Sequence, residues 1–307
     1  MRVLVAGATG VLGTALVPML TAAGHEVIAL SRSGRNTGTA SVRADALDRG
    51  AVTDAVRQAA PDAVVHLLTA IPREIDPRHM ARDFALTNRL RTEGTANLLD
   101  AAAQVGVRRV LTQGLAFAYD PSGTGLADED TPFWPRPPRQ FAAVLAAVRE
   151  LEQRTHDGGG LVLRFGHLYG PGSAFAADGS FTGNLRQGSL PVVGRGSAVF
   201  SFIHAHDAAT AMVAALEQEV SGALNIVDDD PAPVREWVPE VAELLGAPKP
   251  RHIPKTLARM AVGSWGAAFM TSLRGADNAR AKQRLGWEPQ YASWRTGFAA
   301  ALRAVRT

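Results

Sequence analysis

Residues 1–20 read MRVLVAGATGVLGTALVPML, and their order decides the fold. Residues 3–6 are a compact aliphatic run, which predicts a buried strand. The run stops at Gly7-Ala8-Thr9-Gly10-Val11-Leu12-Gly13, and an apolar helical periodicity follows over residues 14–23. A strand that turns on glycines into a helix brings backbone N–H groups and the positive end of the helix to one point. A diphosphate is stabilised there. The spacing is G-x-x-G-x-x-G, wider at its first step than the usual dinucleotide fingerprint.

Beyond this turn, strand-like runs recur at residues 26–30, 63–67, 109–112 and 161–165. Helical patterns lie between them, clearest over 94–105 and 142–154. That alternation predicts βαβ units about a parallel sheet. After about residue 166, short strands and helices mix with proline turns. The expected fold class is therefore α/β: a doubly wound parallel sheet of Rossmann type over 1–165, with a smaller C-terminal α/β lobe over 166–307. The lobe is expected to interleave with the first part and to bind substrate.

A chain of 307 residues with 46% hydrophobic content can bury a large core, so disorder is not expected. It has no cysteine, which excludes disulfides, thiolate metal sites and thiol nucleophiles. The net charge is +3 and the arginines are scattered, so no nucleic-acid partner is expected despite a sequence pI of about 9.7. The first residues pass from strand to glycine turn without a leader pattern. The most apolar late stretch, 257–273, contains Arg259, Gly263, Ser264 and Gly266, which predicts an amphipathic helix and no membrane span. A cytoplasmic protein is the expectation. The eight histidines show no paired-ligand spacing, so no metal is expected.

The end of the second strand sets cofactor preference, because an acid there binds ribose hydroxyls and an arginine accommodates a 2′-phosphate. The run is Ser31-Arg32-Ser33-Gly34-Arg35, which favours NADP(H) over NAD(H).

Five blocks resemble the extended short-chain dehydrogenases, the NAD-dependent epimerase/dehydratase family. They are GATGVLG at Gly7, DAVVHL at Asp62, EGTANLLDAA at Glu93, LRFGHLYGPG at Leu163 and FIHAHDAATA at Phe202. NARAKQRLGWEP, from Asn278, is similar to the family's late block. The resemblance spans nearly the whole chain and implies a homodimer formed through two helices. It also assigns Gly7, Thr9, Gly10, Val11, Leu12, Gly13, Arg32, Asp45, Leu67, Leu68, Thr69 and His167 to the cofactor, and gives His66 a structural role.

The departures matter more. Such enzymes use a serine or threonine, a tyrosine and a lysine four residues later to move the proton that accompanies hydride transfer, the lysine lowering the phenol's pKa. Here the tyrosines are Tyr119, Tyr169 and Tyr291 and the lysines Lys249, Lys255 and Lys282, none at that spacing. Phe141 falls at the tyrosine position and Leu145 at the lysine position; the serine falls on or near Gly114. The arginine that holds a sugar nucleotide's phosphate is replaced by Phe200. A small, non-nucleotide, more apolar substrate is expected, with Phe141, Asn184, Phe200 and Trp134 on its side of the cleft, and Phe175 and Phe202 nearby.

Catalysis must then come from Thr112, Gln113, Tyr119 or Arg139, with Gln140 beside them. The loop Asp128-Glu129-Asp130 reads as a solvated turn. Three functions fit these residues: an NADP(H)-dependent reductase or epimerase with a different proton donor, a redox-neutral cyclase, isomerase or dehydratase that retains the cofactor, and a non-catalytic NADP(H) sensor. The abundance of Ala, Gly and Arg fits a GC-rich bacterial genome, and an altered relay fits a tailoring step in specialised metabolism.

Overall fold

The computed structural model describes residues 1–33 and 38–303. β1 (Arg2–Ala6) is buried on both faces and leads through the glycine turn into α1 (Val11–Ala22). β2 (Glu26–Ser31) and β3 (Ala40–Arg43) follow, then α2 (Arg49–Ala59). The Asp48 side chain caps α2 by accepting the Ala51 N–H at 3.0 Å, satisfying a donor that the first turn leaves unpaired. β4 (Ala63–His66) leads into helical turns, a π-helical turn at Leu90–Gly94 and α3 (Thr95–Gln104). β5 (Arg109–Leu115), α4 (Arg139–Asp157) and β6 (Leu161–Phe165) complete the first half.

The chain then builds much of the lobe, returns through α5 (Ala205–Glu217) and adds β7 (Gly222–Ile226) to the sheet beside β6. The seven-stranded sheet runs β7-β6-β5-β4-β1-β2-β3, all pairs parallel. Strand order reverses between β1 and β4. A crevice opens at such a point outside the strands' carboxyl ends, where ligands bind in open α/β sheets.

Helix α5 packs on α1 and covers one face of the sheet with Leu16, Leu20, Met212 and Leu216. Val52, Val56, Leu98 and Ala102 of α2 and α3 cover part of the other. The lobe has its own aromatic core of Phe200, Phe202, Trp237, Trp294 and Phe298. Its short strands pair locally: His167–Tyr169 with Phe202–His204, Val199–Phe200 with Ala232–Pro233, and Val192–Val193 with His252–Ile253.

Two strands escape the sequence patterns, β3 because only Val42 of its four residues is buried, and β7 because it lies among residues read as lobe. β5 runs past the expected residue 112 because Gln113, Gly114 and Leu115 stay in register with Leu163, Arg164 and Phe165. The late apolar stretch is α6 (Lys255–Thr271), broken at Gly263, whose φ of 76° is left-handed. Among the described residues, no helix is long and apolar enough to cross a membrane.

Candidate functional site

The crevice between β1 and β4 is shaped by glycine. Gly7 has a φ of 98°, and a Cβ there would stand 2.9 Å from the Leu67 carbonyl carbon, so the β1 exit passes directly against the loop leaving β4. A Cβ on Gly13 would meet the Gly7 carbonyl oxygen at 2.3 Å. Gly10 caps α1 with no side-chain hydrogen bond, and its own N–H donates to Gly7 O at 3.0 Å. The N–H groups of Val11, Leu12 and Gly13 in the first turn are therefore left for a ligand. Thr9 is exposed beside them, and Gly172 of the loop after the sixth strand approaches the Val11 side chain. An uncapped helix start with backbone this close fits a dinucleotide diphosphate.

At the adenosine end, Arg32 is exposed and its carbonyl accepts the Arg43 Nε–H at 3.0 Å, which brings two guanidinium groups to the ends of β2 and β3. Gly34 and Arg35 lie outside the described residues. Asp45 is exposed and its Oδ1 accepts the Leu47 N–H at 3.0 Å. At the other end, His66 accepts the Leu68 N–H on Nδ1 at 3.3 Å, so Nε2 carries the proton and donates to Thr95 Oγ1 at 2.9 Å. The Thr95 hydroxyl passes the chain on to Leu90 O. Burial, helped by the charge of Arg91, holds the imidazole down at about 4. His66 is thus a neutral strut for Leu67, Leu68 and Thr69.

The expected relay segment is closed and apolar. Phe141 is buried and lies flat on Trp265 of α6, with centroids 3.9 Å apart and planes at 2°. Leu145 has no exposure at all. Gln140 Oε1 accepts the Ser264 hydroxyl at 2.6 Å, and its Nε2 packs against Gly263, so it secures the break in α6. Arg139 is exposed at the first position of α4, and Trp134 is half-buried, 6.5 Å from Trp265.

The structure corrects several expected roles. Tyr119 is fully buried, donates to Asn225 Oδ1 and accepts from Arg164 Nη1 at 3.1 Å; burial pushes its hydroxyl up to about 12. A phenol committed in this way inside the core cannot hand a proton to a substrate. Arg164 also holds Glu152 through two bonds of 2.9 and 2.7 Å, an ion pair with both side chains buried. Thr112 is buried against α4, bonded to Thr155 at 3.0 Å. Strand alternation turns the half-buried Gln113 to the opposite face, so Thr112 and Gln113 do not share a site.

His167 lies in the lobe's aromatic core, stacked between Phe200 at 3.8 Å and Phe117 at 4.6 Å. Its Nδ1 donates to Ser201 O at 3.2 Å, Nε2 has no partner, and burial lowers its pKa to about 3. Phe200 has no exposure and is the floor beneath that ring. Asn184 is exposed, with its Oδ1 turned to the Ser189 hydroxyl. Neither an enclosed ring nor a surface amide matches the cofactor or substrate contact expected of it.

Phe117, Trp265 and Phe269 form a chain of ring contacts that reaches Phe141 and were not among the expected residues. Phe117 had a period-two signal, two residues beyond Leu115; reading residues 257–273 as an amphipathic helix did not say what its aromatic face packs on. Among the described residues, no group of His, Asp and Glu is arranged to hold a metal.

A model of the NAD dependent epimerase/dehydratase family matches residues 3–227. The chain belongs to that family. It is 48% identical to the 3-diazoavenalumate denitrifying reductase of a Streptomyces species, over 97% of this chain and 99% of that protein. It is 33% identical to the human epimerase family protein SDR39U1, over 80% of each. Among solved structures, MoeE5 in complex with UDP-glucose and NAD superposes with a TM-score of 0.76 at 26% identity, covering 100% of this chain and 99% of that one. As a member of the NAD dependent epimerase/dehydratase family, the chain is an oxidoreductase- or epimerase-like enzyme with a nicotinamide dinucleotide cofactor, which the glycine turn fits.

Proposed function

We propose that the chain is an NADP(H)-dependent reductase of a small, non-nucleotide carboxylate that carries a diazo group and loses it as dinitrogen. The observation that carries the reading is the enclosure of Phe141 and Leu145 at the relay positions, in a chain 48% identical to a denitrifying reductase. Reducing a carbonyl requires a proton at oxygen in step with hydride. Replacing a diazonium group does not. When bound, the reduced nicotinamide supplies a hydride whose electron pair makes the new C–H bond, while the C–N pair leaves with dinitrogen. No side chain need donate or accept a proton at the reacting carbon.

What remains for the protein is binding, orientation and exclusion of water. The Gly7–Gly13 turn receives the diphosphate, and Arg32 and Arg43 suit a 2′-phosphate, which supports NADP(H) over NAD(H). Leu67, Leu68 and Thr69 border the crevice on the strut of His66. The aromatic wall of Trp134, Phe117, Trp265 and Phe269 suits a flat apolar substrate. Among the described residues, the Gln113 and Arg139 side chains have no hydrogen-bond partner in the fold.

Absorbance at the nicotinamide band tests the reading. NADPH should be consumed with an aryl diazonium carboxylate, with dinitrogen released in equal amount, and not with UDP-glucose. Turnover of UDP-glucose, or of simple ketones alone, would refute it.

A further inference from the structure

Thr87, Arg91 and Thr95 recur every four residues between β4 and β5, and all three are buried. The two threonines show where this stripe lies. Thr87 Oγ1 accepts the Ala70 N–H at 3.0 Å, and Thr95 Oγ1 accepts the His66 Nε2–H at 2.9 Å. His66 and Ala70 bracket the loop leaving β4, beside the Gly7 turn. Arg91 stands between the threonines, on the π-helical turn Leu90–Gly94, which packs against α4 where Phe141 and Leu145 replace the relay.

The Arg91 side chain is 3% exposed, and its Nη1 is buried without a partner. It makes no ion pair or hydrogen bond within the described residues. The other buried arginine, Arg164, is held by Glu152 through two bonds. A guanidinium taken out of water with nothing to offset its charge is a costly feature for a fold to keep. Here it is kept at the carboxyl edge of a parallel sheet, where ligands of such sheets bind.

We propose that Arg91 is the anion anchor of the substrate site, its guanidinium holding the substrate's carboxylate at the nicotinamide end of the crevice. The inference rests on the carboxylate substrate proposed above and adds the residue that would recognise it. Arginine suits the place better than lysine. Its planar fork matches a carboxylate through two parallel bonds, and it keeps its charge where an ammonium would surrender a proton. Arg91 holds and orients; it does not relay protons.

Calorimetric titration of the NADP⁺-loaded and the cofactor-free protein with 4-hydroxycinnamate and with its methyl ester tests this. The wild-type protein should prefer the acid by about 10- to 100-fold, as a charge-assisted bond implies. Arg91→Met should abolish the preference while leaving NADP⁺ affinity intact and the melting temperature unchanged or higher, because it removes an uncompensated charge. Arg91→Lys should keep part of the preference. Equal affinity for acid and ester, no heat from the acid, or an Arg91→Met protein that still prefers the acid overturns the anchor. Absence of NADP⁺ heat in the wild type counts against the cofactor reading instead, and the acid–ester contrast on the cofactor-free protein decides the anchor independently.

Discussion

Replacing Tyr119 by phenylalanine separates a structural phenol from a catalytic one. The substitution removes a single hydroxyl that donates to Asn225 Oδ1 and accepts from Arg164 Nη1. The Asn225 oxygen loses its side-chain donor, while Arg164 keeps both bonds to Glu152 and its 3.0 Å bond to Glu129 O. Losing a buried partner of a charged group costs about 1–3 kcal/mol, which lowers Tm by roughly 2–5 °C in a chain of this size. The ring still fills the space beside Phe133, so no cavity term is added. Single-turnover NADPH oxidation, measured well below the melting point, should change by less than about threefold, since a proton donor contributes on the order of 100-fold or more. A rate falling 100-fold with Tm unchanged would refute the placement of Tyr119 in the scaffold.

Gly13→Ala puts a methyl group 2.3 Å from Gly7 O and 2.6 Å from the Ala8 backbone, and none of those atoms can rotate away. We expect a loss of about 1–3 kcal/mol and at least roughly tenfold weaker NADPH binding, read by nicotinamide fluorescence; unchanged affinity would contradict the diphosphate site. Arg32→Ala with Arg43→Ala should weaken NADP⁺ by about tenfold and NAD⁺ hardly at all, by calorimetry. Buried His167 is held neutral to about pH 3. Once unfolded it titrates near 6.5, so as the pH falls below that value the unfolded chain binds a proton the folded chain refuses. Stability then drops by about 1.4 kcal/mol per pH unit. Asp228 runs the other way, because burial raises its carboxyl to about 9 and stability is lost as the pH rises toward that value. The comparison is therefore wild type against His167→Phe in urea melts from pH 7 to 5: the variant should lose less stability, and identical slopes would sink the assignment.

The glycine turn and the parallel sheet were legible because each is written in consecutive residues or fixed spacings. Gly7 to Gly13 carries its meaning wherever it follows a strand and opens a helix. The roles of Tyr119, Thr112 and His167 were not legible, because family position says which strand a side chain follows but not which partners arrive from elsewhere. Asn225, which occupies the Tyr119 hydroxyl, comes from β7, a strand the sequence pattern placed in the lobe. Thr155, which occupies Thr112, lies on a turn of α4 beyond the predicted helix end. Arg91 was legible in principle and passed over: a charged residue four positions from each of two buried threonines sits on the buried stripe of its helix. A charge in such a place is either paired in the fold or waiting for a ligand, and among the described residues none supplies a partner to the buried Arg91 Nη1.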